Sequence, residues 1–189
     1  MTLLDAVKRR FARPPEPVRA AVEATPDPAE RVLAWGTLVR DEGWLVATTG
    51  GLRVVNAAGG EAAALLPWHE VGHARWAGTA DGGGAFTITP LTEVEPGVQA
   101  RLAPQRHALS DPGELPQEFR RRVDRTVVTS QRFPLPDRGG VVLVARRVPG
   151  QAAKEWTVVF YEDVDRGDPV AREEARRRLA AALATEQPD

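Results

Sequence analysis

Between residues 31 and 102 apolar positions come in short runs, broken by polar residues and glycine pairs, with the period of strands rather than helices. Residues 31–39 (RVLAWGTLV), 44–48 (WLVAT) and 52–56 (LRVVN) are rich in β-branched and aromatic side chains. Turn signals at Asp41-Glu42-Gly43 and Gly50-Gly51 separate them, which predicts a three-strand meander. Gly59-Gly60 introduces a further extended stretch, 63–76, and Gly82-Gly83-Gly84 introduces 85–91, where Phe86 and Ile88 share a face. A weaker strand is expected at 98–102. Strands at this spacing, joined by glycine turns, predict an antiparallel β-sandwich or partly open barrel.

The period then changes. Leu115, Phe119, Val123 and Val127 recur at every fourth position, opposite Arg120, Arg121, Asp124 and Arg125, so an amphipathic helix over 114–130 is expected to close the sheet. A hairpin follows, 140–148 and 155–161, and Asp168-Pro169 opens a helix that continues through 170–185 on Ala, Leu, Glu and Arg. At the other end Thr2 can cap a helix carrying Leu3, Leu4, Val7 and Phe11, and a second short helix is expected over 17–24. The organisation expected is an N-terminal helical arm, 1–28, and a single α+β domain, 29–189. Within that domain the core is 29–131, and the added hairpin and C-terminal helix are 132–186.

Charge narrows the function classes. The 189 residues are 27% charged but sum to a net charge of −1, so no global field draws the chain toward nucleic acid. There is no cysteine, which removes thiolate metal sites and cysteine nucleophiles. No apolar run approaches the roughly 18 residues of a membrane span, and no signal-peptide block is present, so a cytoplasmic location without a transmembrane segment is expected. Lys8 and Lys154 are the only lysines beside abundant arginine, alanine, glycine and proline, a bias of GC-rich bacterial genomes.

One stretch carries candidate chemistry. LPWHEVGHARW contains H-E-x-x-H, in which a helix would bring His69 and His73 to one zinc ion with Glu70 as general base. In an extended chain the same histidines lie about 13 Å apart and cannot share an ion. Pro67 just before the motif and Gly72 within it weaken a helix, and His107 does not stand at the third-ligand spacing of metzincins, although Glu93 or Glu95 could serve as a third ligand. We therefore read 69–73 as extended and assign no catalytic, cofactor-binding or metal residue. A zinc-dependent hydrolase built on His69, His73 and Glu70 is the alternative. Arg120, Arg121, Arg122 and Arg125, and Arg176, Arg177 and Arg178, lie among acidic residues on expected helices. A solvated face is their reading, with anionic lipid binding as the second alternative. Trp35, Trp44, Trp68 and Trp156 fall in strands and are expected in the core, whereas Trp76 is the candidate for exposure.

RVLAWGTL at 31–38, WLVATTGGLRVV at 44–55, LPWHEVGHARW at 66–76 and the second hairpin around 146–157 together resemble the bacterial pleckstrin-homology-like domains. Within these the resemblance is nearest to a group of uncharacterised actinobacterial proteins. It covers most of the chain after residue 28 and implies a capped sandwich or partly open barrel, with no activity attached. The function expected is a non-enzymatic binding or scaffold domain without a cofactor. It would act through a protein or peptide partner, with a homodimer as one form of that partnership.

Overall fold

The computed structural model describes residues 13–58, 64–135, 139–148, 151–161, 164–165 and 167–186. The helix expected at residues 2–11 and the glycine pair at 59–60 lie outside them. Two compact units emerge. The first comprises the described residues up to Trp68, His73–Ile88 and Gln105–Arg122; the second comprises His69–Gly72, Thr89–Pro104 and the described residues from Val123 onward.

The first unit is built on an antiparallel meander: β1 (Val32–Leu38), β2 (Gly43–Thr48) and β3 (Gly51–Asn56), then the two-residue β4 (Leu66–Pro67). A 3₁₀ turn, Trp68–Glu70, leads to β5 (Val71–Gly78), which is followed by β6 (Gly84–Glu95). β8 (Gln105–Asp111) pairs with β1 and with residues 84–88 of β6, giving the order β4-β3-β2-β1-β8-β6-β5. Laid flat, the six inter-strand steps of this order would span about 29 Å. Pro67 and His73 stand at its two ends, however, and the six chain steps from one to the other reach at most about 21 Å. The sheet must therefore curl without closing, as the partly open barrel predicts. Gly43 makes the β2 entry possible: its φ is +134°, and a Cβ there would sit 2.0 Å from the Val55 carbonyl oxygen.

Both faces of the meander are covered, which explains why β2 is apolar at nearly every position. On one face lies α1 (Glu16–Glu23), started by Pro17 in its first turn, where a missing N–H costs nothing. Its Val18 and Ala21 pack on Val46 and Val55, flanked by Val32, Trp35 and Trp44. On the other, Trp68 is 1% exposed and meets Phe119 of α2 (Leu115–Thr126) edge-on at 5.6 Å; Phe119 meets Phe86 at 5.0 Å, and Phe86 meets Trp76 at 4.7 Å. The helix thus closes this unit through Leu115 and Phe119, the first two members of the expected stripe.

At the rim of the α1-covered face is a buried ion pair. Arg53 donates Nε to Glu30 Oε1 and Nη2 to Glu30 Oε2, each at 2.9 Å, and the Thr48 hydroxyl donates to Oε1 at 2.6 Å. Thr48 also accepts from the backbone N–H groups of Gly50 and Gly51, and its carbonyl accepts from the Trp68 indole at 2.9 Å. Burial acts to raise the Glu30 carboxyl, but the hydrogen bonds from Arg53 and Thr48 and the Arg53 charge outweigh it and hold it below the usual range.

The second unit orders its strands as β6-β7-β11-β10-β9, with β7 (Val98–Arg101), β9 (Val127–Pro134), β10 (Gly140–Arg147) and β11 (Lys154–Phe160). Its β6 segment is residues 89–95. One pair, β7 with β11, is parallel and joins the added hairpin to the antiparallel strands, a pairing not expected from the sequence. α3 (Pro169–Glu186) is capped by Asp168, whose Oδ1 accepts the Val170 N–H at 3.0 Å. Ala171 and Ala175 bring it close to Val98, Val141, Leu143, Val158 and Phe160. Glu95 ties it to β6 through Arg176 at 2.8 Å and Arg172 at 3.2 Å.

Two further expectations are corrected. The helix expected over 114–130 ends at Thr126, because the β-branched pair Val127-Val128 extends into β9. Residues 105–111, not expected as a strand, fill the slot between β1 and β6.

Glu30→Ala is expected to cost about 3–5 kcal/mol, since Arg53 then stays buried without its carboxylate. Replacing both residues with leucine should cost less than the sum of the single changes, as measured by urea unfolding of the four species. Acid should weaken the fold in two stages. Burial holds His107 below its ordinary range, so as pH falls below about 6.5 the unfolded chain takes a proton that the folded one refuses. Glu30 is depressed, so its contribution is complete above about pH 4.5 and is lost as pH falls through its lower folded value. Urea midpoints at pH 7.5, 5.5 and 4 measure both stages, and His107→Asn should remove only the upper one.

Candidate functional site

The HEVGH residues do not form a turn of α-helix. His69 and Glu70 complete the 3₁₀ turn that begins at Trp68, and Val71, Gly72 and His73 run into β5. The expectation of an extended 69–73 is corrected at its first two residues: the chain turns there as Trp68 enters the core. Gly72 has a packing reason of its own, since a Cβ would lie 2.6 Å from Leu91. His69 Nε2 lies 3.9 Å from Glu70 Oε1. Among the described residues no group of three or more His, Asp or Glu side chains is arranged to hold a metal ion.

The arginine clusters are engaged locally. Glu118 pairs with Arg121 at 3.1 Å and Arg122 at 2.8 Å, and Glu174 pairs with Arg177 and with Arg178. Arg176 is held by Glu95 and Glu173, and Arg178 also stacks over Phe133 at 4.1 Å. Side-chain pairs of this kind laced along a helix are what the charge pattern predicts for a solvated face. Of the tryptophans, Trp68 is fully buried, Trp35, Trp44 and Trp156 are partly buried, and Trp76 packs on Phe86 rather than standing free.

What these candidates leave unexplained is β9. It ends the strand order of the second unit, pairs with β10 from Gly140↔Pro134 to Arg146↔Val127, and is exposed along most of its length. Its backbone direction follows from its neighbours. Gly140 gives its carbonyl to the Tyr161 N–H at 3.0 Å and so points toward β11. Alternation then turns Val141, Leu143 and Ala145 toward β9, where they meet Phe133, Gln131 and Thr129. Ser130, Arg132 and Pro134 consequently point their backbone groups away from the sheet. Pro134 has no N–H to leave unpaired, which suits an edge. At the other end the register shifts between Ala145 and Arg146, so Val128 is an inserted residue; Val127 is 36% and Val128 42% exposed.

This edge was hidden in the sequence by the helical stripe that runs up to Val127. The signal that could have found it is local: VVTSQRFP joins two β-branched residues to a threonine and closes on proline.

Purified protein is expected to hold well under one zinc per chain by elemental analysis. About one zinc per chain, lost on His69→Ala, would restore the hydrolase alternative.

Comparison of the chain with protein-family models, with curated proteins and with solved structures returned no match.

Proposed function

We propose that this chain is a non-enzymatic binding module of pleckstrin-homology-like type, which takes an extended segment of a protein or peptide partner as an added strand on β9. The observation that carries this reading is the outward backbone of Ser130 and Arg132 on an exposed edge strand. Such an edge offers main-chain hydrogen bonds to any extended segment, and alternate side chains set the preference. Val127 and Val128 supply apolar surface where the added strand would begin, and Arg132 supplies one positive charge for an acidic residue on it. The curled, helix-closed sheet of the first unit supports the family part of the reading. The hydrolase alternative is disfavoured by the turn at His69–Glu70, and the lipid alternative by the acidic partners of Arg121, Arg122, Arg176, Arg177 and Arg178.

Proline at an outward position separates partner binding from folding. Ser130→Pro removes an N–H that the ladder with β10 does not use, so stability should stay within about 1 kcal/mol of the parent. Partner affinity should fall about 5- to 10-fold with the lost hydrogen bond. A photo-crosslinking residue at position 128, used in extracts of the native host, should label an extended segment of the partner in the parent chain and far less of it in Ser130→Pro. If the partner is a second copy, the parent should sediment as a dimer and the variant as a monomer. Equal crosslinking yield with and without the proline would sink the proposal.

A further inference from the structure

The face of the second unit's sheet opposite α3 contains an arrangement that strand addition does not use. Along β10, Val141 and Leu143 pack with Ala171 and Ala175 of α3, so Val142, Val144 and Arg146 lie on the other face. Cross-strand register adds Glu155, Thr157 and Val159 from β11 and Gln99 from β7 to that face. Leu91, Val142, Val144 and Val159 make its apolar part. Arg146, Thr157 and Gln99 form a diagonal across it, with Thr157 two residues along from Arg146's cross-strand neighbour Glu155, and Gln99 beside Val159.

These polar side chains are buried and unmatched. Arg146 is 5% exposed, Thr157 3% and Gln99 7%. Among the described residues, Nε and Nη1 of Arg146, Oγ1 of Thr157 and Oε1 of Gln99 have no hydrogen-bond partner. Glu155, directly opposite Arg146, does not reach those two nitrogens. A guanidinium cannot escape burial by losing its proton, so it needs a counter-charge with acceptor oxygens. Burial pulls Arg146 below its usual range, the mark of a cation stripped of water without compensation.

We infer that Arg146 and Thr157 form a buried receptor for a small oxyanion, either a phosphate or a carboxylate group, free or carried on a larger molecule. The two arginine nitrogens supply charged N–H donors and the threonine hydroxyl a neutral one, the donor set that oxyanions take. Gln99 completes the row: its amide oxygen accepts from a hydroxyl on the ligand, such as the P–OH of hydrogen phosphate or the alcohol of a hydroxy acid. The adjoining Val144 and Val159 keep the site apolar, which strengthens each of these contacts. This site is independent of the β9 edge, and neither depends on the other.

The test uses the full chain with inorganic phosphate and with acetate, each compared with sodium chloride at equal ionic strength. Phosphate, acetate or both should raise the melting temperature and give saturable heat in calorimetry, while chloride should not. A response to phosphate alone assigns a phosphoryl group, and a response to acetate alone a carboxylate. Arg146→Met should abolish the response, and Thr157→Val should weaken it roughly tenfold, the loss of one charge-assisted contact. Thr157→Val keeps the core shape, so it decides the matter if Arg146→Met does not fold. Glu155→Gln should leave the response intact or enhance it. No response to either oxyanion, an equal response to chloride, or a Thr157→Val response equal to the parent's would overturn the site. So would a Glu155→Gln variant as unstable as Arg146→Met in the absence of anion, because Glu155 would then be the counter-charge.

Discussion

The first unit depends on one buried ion pair. Glu30 and Arg53 stand at the two ends of the meander in sequence, and their bidentate contact at 2.9 Å sets β3 against the segment that enters β1. Such a pair is weak evidence for stability in itself, because two charges have left water to make it. What it supplies is register. Thr48 joins the carboxylate to the turn at Gly50-Gly51, and the Thr48 carbonyl holds the Trp68 indole, so a slip of β3 by one residue would strand a charge and two backbone donors. Packing alone specifies less, since the meander is apolar on both faces and either face would accept valine or leucine.

From that fixed corner the remaining elements of the unit follow. Trp68 is placed by its hydrogen bond, Phe119 packs on Trp68, and Phe86 and Trp76 extend the aromatic line. The chain must turn at Trp68–Glu70 to deliver the indole inward, and this turn is what breaks the spacing a zinc-binding helix would need. The residues around the H-E-x-x-H spelling have packing reasons of their own: the tryptophan before it is buried, and the glycine inside it leaves room for Leu91.

Much of the fold was legible from local pattern. The alternation in 31–56 marked three strands because their turns carry glycine or charge, and Asp168-Pro169 marked a helix because cap chemistry is written within a few residues. What escaped was decided by partners far away in sequence. QRHALSD at 105–111 has little apolar content of its own, and it is a strand because β1 and β6 offer a vacant ladder on either side. The fourth member of the helical stripe, Val127, went to β9 because β10 captured it. The parallel pairing of β7 with β11 likewise joins segments more than fifty residues apart, which no local pattern encodes. The candidate surfaces were hardest to see, since an edge strand and an unmatched arginine are properties of neighbours rather than of the residues themselves.

Pro134 has a consequence for the behaviour of this chain at high concentration. An open strand edge is a template on which copies can stack without limit, and cells select against long, flat ones. Here the template is cut short at both ends, by a proline that offers no N–H and by an inserted valine that twists the strand away. Only a few residues between them can be copied. A partner strand of the kind proposed would be held over those few residues alone, and the long, flat template that open-ended stacking needs is not offered.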